Sequence, residues 1–170
     1  MLEEAGIMID SRTFRTVLGH YPTGVCVITA VEADDTPLAM VVGSFSSVSL
    51  DPPLVGFFPD KRSSTWPRIE QAGRFCVNVL ADDQLDLCRR FAAPGADKYA
   101  GLAFGRSPSG QPLLEGVTAW IDCTLHAVQD AGDHYLALGR VEALEVGTGR
   151  HPLLFHRGGY GAYAPFETVS

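Results

Sequence analysis

Two long runs rich in apolar and β-branched residues, V-T-A-W-I-D-C-T-L-H-A-V at positions 117–128 and Y-L-A-L-G-R-V-E-A-L-E-V at 135–146, are separated only by Q-D-A-G-D-H. Aspartate and glycine between two β-prone runs form a hairpin turn, so the pair reads as two long antiparallel strands. Shorter runs of the same kind lie at 25–31 (V-C-V-I-T-A-V), 37–42 (P-L-A-M-V-V), 54–58 (L-V-G-F-F) and 74–80 (R-F-C-V-N-V-L), then at 153–155 and 160–163. The segment 33–36, with two aspartates, turns the first of these into the second.

Helical spacing is confined to three short stretches. Residues 11–19 carry Phe14, Val17, Leu18 and Tyr21 at helical intervals behind Asp10 or Ser11 as cap. A second helix opens near Ser64 or Thr65 and closes at Gly73, and a third covers 83–91 with Asp82 as its cap. Residues 92–112 hold four glycines and three prolines with little periodicity and read as a long loop or flap. About seven strands with few helices predict a mainly β, antiparallel barrel with small helices at its rim. The 170 residues suit one domain, placed at 11–165 with tails at 1–10 and 166–170.

Charge and cysteine usage narrow the class. A formal charge of -7 and a pI near 5.1 argue against nucleic acid or an anionic membrane as partner, because both need a surplus of Lys and Arg. The four cysteines, Cys26, Cys76, Cys88 and Cys123, never fall two residues apart and sit in or beside apolar runs, so they read as reduced core residues without a metal. The start M-L-E-E-A-G has no basic or apolar signal region, and no apolar run reaches the ~18 residues that span a bilayer; a cytoplasmic location is the expectation. G-x-S-x-G, the P-loop, G-x-G-x-x-G and H-E-x-x-H are all missing from the sequence, which leaves serine or zinc hydrolysis without support.

Four polar features remain. S-F-S-S-V-S-L-D-P-P at 44–53 places hydroxyls between two strands, either as a plain turn or as a wall for a polar, flat or phosphorylated ligand. Lys61, Arg62, Ser63 and Ser64 precede a helix, either as an N-cap with solvated cations or as a phosphate site. His134 opens a strand after the Gly132–Asp133 turn, where it either decorates the surface or orients a ligand. Asn78, the only asparagine, interrupts a strand and either satisfies neighbouring backbone or faces a ligand.

Taken in order, several segments together resemble the short-chain flavin reductases, the reductase components of two-component flavin-dependent monooxygenases. They are T-F-R-T-V-L-G-H-Y-P-T-G-V-C-V-I-T at 13–29, S-F-S-S-V-S-L-D-P-P-L-V at 44–55 and G-R-F-C-V-N-V-L at 73–80. R-F-A at 90–92, D-K-Y at 97–99, G-D-H at 132–134, G-R-V at 139–141 and P-L-L-F-H-R-G-G-Y at 152–160 follow. The resemblance runs from about residue 11 to 163 and rests on the number and order of motifs rather than on any one of them.

It implies an FMN-binding split barrel with Greek-key-like connections, usually a homodimer, that reduces FMN or FAD with NADH or NADPH and passes reduced flavin to a monooxygenase. By resemblance, Met40, Val41, Gly43 and Ser44 line the isoalloxazine, with Ser46 and Ser47 on the same loop and Pro37, Leu38, Ala39 and Phe58 around them. Lys61, Arg62, Ser63 and Ser64 sit by the phosphate or ribityl chain, while Ala93 and Lys98 approach from the long loop. His134, as the catalytic residue, lies on the nicotinamide side with Phe155, His156, Arg157, Gly158 and Tyr160, and Asn78 is counted among the cofactor-binding residues. Family members usually carry Gly, then Thr or Ala, then Asn, Ser or Gln where this chain has Ala39, Val41 and Gly43, so flavin contacts here come mostly from the backbone. The alternatives are a flavin-binding or storage protein and a flavin-retaining oxidoreductase that acts on another acceptor.

Overall fold

The computed structural model describes residues 9–95 and 97–166. In chain order the elements are α1 (Ser11–Leu18), β1 (Thr23–Gly24), β2 (Cys26–Val31), β3 (Pro37–Val42), β4 (Ser46–Leu50), β5 (Pro53–Phe57), α2 (Trp66–Ala72) and β6 (Arg74–Val79). There follow α3 (Leu85–Ala92), β7 (Phe104–Arg106), β8 (Pro112–Leu114), β9 (Ala119–Ala131), β10 (His134–Val146), β11 (Leu153–His156) and β12 (Gly159–Ala162). Seven strands form one antiparallel sheet in the order β3-β2-β6-β9-β10-β5-β4; β1, β11 and β12 make a small sheet, and β7 pairs β8. This is the expected mainly β split barrel, with short helices around it.

The long hairpin holds the sheet together. β9 and β10 pair from Ala119↔Val146 to Ala131↔His134, with irregularities at Leu138/Gly139 and Val141/Ala143. Gly139 is required there: a Cβ at this position would stand 2.4 Å from Phe75 Cζ and 3.1 Å from Cys123 Cβ. β2 explains its apolar sequence, broken only at the buried Thr29, by facing two cores at once. Cys26, Ile28 and Ala30 pack with Phe57, Trp66, Phe75 and Val77, where Phe57 meets Trp66 and Phe75 edge to face at 5.7 and 5.4 Å. Val25 and Val27 pack on the other side with Leu80, Cys88, Phe91, Tyr99 and Leu114, beneath α3 and the β7–β8 hairpin.

Three local expectations change. The serine-rich connector contains β4, an edge strand whose residues are mostly exposed; ladder bonds to β5 hold it where its polar sequence reads as a turn. The supposed flap at 92–112 contains β7 and the start of β8, each too short to show a period. Asp82 does not cap the third helix. Gln84 stands at that position, with its Oε1 accepting the Ala81 N–H at 2.9 Å and its Nε2 donating to the Glu115 carbonyl at 2.7 Å.

All four cysteines are buried and free. Burial pushes the Cys26 and Cys76 thiols up to about 12, and the Asp122 charge adds to the effect at Cys76. Since the thiolate is the reactive form, Ellman's reagent should label neither residue in the native protein at pH 8 and all four cysteines after guanidinium unfolding. Rapid native labelling of Cys26 or Cys76, mapped by peptide mass, contradicts this packing.

Candidate functional site

The two edges of the seven-stranded sheet, β3 and β4, are consecutive in the chain, so residues 43–45 carry the backbone from one edge to the other. No ladder register joins β3 to β4 among the described residues. The seam opens into a cleft of about 480 Å³. Residues 40–44 form one wall; Phe58, Pro59, Asp60, Ser63 and His134 form the other. Ser44 fastens the two, its Oγ accepting the Phe58 N–H at 2.9 Å. Behind the wall, Thr23 Oγ1 is buried without a hydrogen-bond partner and lies 3.0 Å from where a Gly43 side chain would begin.

The second wall is tied to the tip of the long hairpin. Asp60 and His134 form an isolated bridge, Tyr135 N–H donates to the Pro59 carbonyl at 2.9 Å and Lys61 N–H to the Asp133 carbonyl at 3.0 Å. Gly132 makes the turn possible with φ 70°. His134 Nδ1 lies 2.7 Å from Asp133 Oδ1. A carboxylate acceptor assigns the proton to Nδ1, which leaves Nε2 of the neutral ring as an acceptor. Hydrogen bonds from the Arg62 side chain and backbone hold the Asp60 carboxyl down to about 2.

A second cleft, of about 650 Å³, follows the other end of β3 past Pro37, Leu38 and Ala39 and is lined opposite by Ser64, Thr65, Pro94, Gly95 and residues 97–99. Ser63 lines the first cleft and Ser64 the second, so the two meet at the start of α2. The helix begins at Trp66 with Thr65 at the cap position, yet it is Ser63 Oγ that accepts the Thr65 and Trp66 N–H groups, at 3.2 and 3.1 Å. The D-K-Y loop is anchored by Tyr99 Oη to the Leu38 carbonyl at 2.9 Å and by Lys98 Nζ to the Phe91 carbonyl at 2.6 Å.

The structure thus gathers Met40, Val41, Gly43, Ser44, Phe58, Ser63 and His134 in one cleft and Pro37, Leu38, Ala39, Ser64 and Lys98 in the next. Ser46 and Ser47 lie exposed on β4, outside both. Lys61 points away to Asp130 at 2.5 Å, and Arg62 turns back on Asp60. Ala93 caps α3, while Phe155 and Tyr160 stack edge to face at 5.1 Å on the small sheet. His156 meets His20, and Arg157 and Gly158 border a separate recess. Asn78 is corrected from ligand contact to core residue. It is fully buried, with Oδ1 accepting the Leu114 N–H at 2.9 Å and Nδ2 donating to Thr29 Oγ1 at 3.0 Å. Sequence reasoning missed Val42, Pro59 and Asp60, whose place in the wall depends on the bridge to His134.

The donor set fits a flavin. β3 is an edge strand, so the backbone groups on its outer side are left to a ligand, apart from the Leu38 carbonyl that Tyr99 occupies. Met40, Val41 and Phe58 supply apolar surface for a flat ring beside that polar edge, and Ser63 and Ser64 supply hydroxyls.

Comparison with known proteins agrees with this geometry. A family model described as a flavin reductase like domain matches residues 18–164. A flavin reductase of Pseudomonas putida is 57% identical over 156 residues, covering 92% of each chain. The reductase subunit HsaB of a flavin-dependent monooxygenase from Rhodococcus jostii is 48% identical over 161 residues, 95% of this chain and 82% of that one. The crystal structure of nitrilotriacetate monooxygenase component B from Mycobacterium thermoresistibile superposes with a TM-score of 0.88 at 44% identity, over 94% of this chain and 89% of the other.

Proposed function

The chain belongs to the flavin reductase-like family and is an oxidoreductase of flavin; from that premise we propose that it reduces FMN or FAD with NADH or NADPH in the cytoplasm and supplies the reduced flavin to a partner monooxygenase. The observation that carries this reading is the seam cleft, where the free backbone edge of β3 faces His134. When bound, the nicotinamide and flavin supply the hydride donor and acceptor themselves, so the protein's task is to position them and to favour charge on the reduced ring.

The chain's own residues suit that task. Backbone groups along Met40–Ser44 hold the polar edge of the flavin ring, and the Ser63 and Ser64 hydroxyls take its ribityl chain or phosphate. Asp133 keeps the His134 imidazole turned so that Nε2 would accept a hydrogen bond at the nicotinamide side. A strong acid or base is not required, which matches a cleft whose only carboxylate is already neutralised by Arg62.

The names of the relatives, which include a monooxygenase reductase subunit and a monooxygenase component, support delivery of reduced flavin to such a partner. Exposure of Phe14, Val17 and Leu18 along α1 supports a homodimer that covers this face. The test is NADH and NADPH consumption by the purified protein with FMN, FAD or riboflavin added. Oxidation that depends on added flavin is expected. Yellow protein without nucleotide oxidation in any combination overturns the reductase reading in favour of flavin storage.

A further inference from the structure

Arg68, on α2, brings a guanidinium to the second cleft, which it lines together with Ser64, Thr65, Asp97 and Lys98. The same side chain also borders a separate hollow of about 530 Å³, and there it meets Glu32, with Nε donating to Oε1 at 2.8 Å and Nη2 to Oε2 at 2.5 Å. Glu32 lines only that hollow and not the cleft. The pair uses the Nε and Nη2 side of the guanidinium fork and leaves Nη1 to another acceptor. Its two side chains are 45% and 29% exposed, and ion pairs in such contact with water hold weakly.

The cations that precede α2 in the chain are elsewhere. Lys61 is turned to Asp130 and Arg62 to Asp60, and neither lines either cleft. Lys98 Nζ is bonded to the Phe91 carbonyl at 2.6 Å, and its chain neighbour Asp97 brings a carboxylate to the same cleft. Arg68 is therefore the one guanidinium lining the cleft among the described residues. It stands next to hydroxyls: the Arg68 N–H donates to the Thr65 carbonyl at 3.1 Å, and on one helical turn the two side chains start about 5–6 Å apart. Ser63 lines the first cleft and Ser64 and Thr65 the second, so a polar path runs from the seam over these hydroxyls to Arg68.

A ligand laid along that path meets, in order, the apolar surface and backbone edge of Met40–Ser44, the hydroxyls and then a planar cation. FMN and FAD carry their parts in the same order: a flat ring, a polyol chain and a phosphate. A guanidinium fork matches phosphate oxygens in pairs, which a point-charge ammonium does not. We propose that Arg68 binds the phosphate common to FMN and FAD, the one attached to the ribityl chain, with the Ser64 and Thr65 hydroxyls beside it. Glu32 competes with this phosphate for the same guanidinium. The assignment rests on the flavin reading of the site above.

Binding of riboflavin, FMN and FAD, followed by quenching of flavin fluorescence in wild type and in Arg68→Gln, tests it. Riboflavin lacks the phosphate, so its Kd is expected to stay within twofold, while Kd for FMN and for FAD rises about tenfold or more, the loss typical of a charge-assisted contact. The rise in melting temperature that FMN gives should shrink in the variant to the rise that riboflavin gives at the same concentration. Arg68→Lys, which keeps the charge and loses the fork, is expected to recover part of the loss. Glu32→Gln breaks the same ion pair but spares the cation, so it is expected to bind FMN at least as tightly as wild type. A tenfold loss of FMN affinity in Glu32→Gln means that the pair shapes the cleft and overturns the phosphate assignment. So does a Kd for FMN within twofold of wild type in Arg68→Gln, or an equal loss there for riboflavin. If wild-type protein binds none of the three flavins, it is the flavin reading that fails.

Discussion

His134→Ala is expected to slow flavin reduction by NAD(P)H about 100-fold in a single-turnover stopped-flow experiment, the lower range for loss of a positioned proton-transfer or hydrogen-bonding group. Flavin affinity, measured by fluorescence quenching, should change by less than twofold. The asymmetry follows from the position of the residue. The wall along Met40–Ser44 and the hydroxyls of Ser63 and Ser64 remain intact in the variant, whereas the only imidazole lining the cleft disappears. Asp133 sharpens the test because its carboxylate fixes which ring nitrogen faces the ligand. Asp133→Asn should retain flavin affinity and slow reduction, since the imidazole then loses the carboxylate that holds its Nδ1–H and an amide in its place can present either oxygen or nitrogen to the ring. Wild-type reduction rates in His134→Ala remove the residue from the mechanism.

The second large effect is on stability. Asn78→Leu should destabilise the fold by about 3 kcal/mol, because it strands the Leu114 N–H and removes the donor to Thr29 in a fully buried place. At 170 residues that corresponds to a fall in melting temperature of ~6–12 °C. The side chain links β6 to β8 and thereby the barrel to the β7–β8 hairpin: Thr29 Oγ1 donates to the Pro112 carbonyl at 2.6 Å in the same cluster. KM for FMN measured well below the melting point should be unchanged. A variant that melts like wild type but loses flavin would return Asn78 to the binding site.

That case shows where the sequence was legible. Strands that bury a face announce themselves, so β2, β3, β6 and the β9–β10 hairpin are readable within a residue or two except at the tips of the long pair. β4 is not, because its serines face solvent on both sides and only the ladder to β5 makes it a strand. Met40, Val41, Gly43 and Ser44 of the cleft wall were assigned through the family resemblance, which left out Val42 between them. Asp60 was not readable, since its position depends on a bridge to a residue on the far hairpin. Asn78 and Lys61 mark a third situation: residue type suggests binding, but the partner that satisfies each side chain lies elsewhere in the chain and is invisible in a linear reading.

The passage of the chain through residues 43–45 sets a dimension of the molecule. From Val42 to Ser46 the tether spans four residue steps, which reach no further than ~14 Å when fully extended, so it fixes the greatest separation of the two sheet edges at this end whatever occupies the gap. Ladder registers elsewhere resist insertion, because a one-residue slip turns every following side chain to the wrong face. The tether has no register to lose. It is therefore the natural place to lengthen the protein, and spacer length there becomes a dial for ligand size as long as Phe45 keeps its packing on the first core.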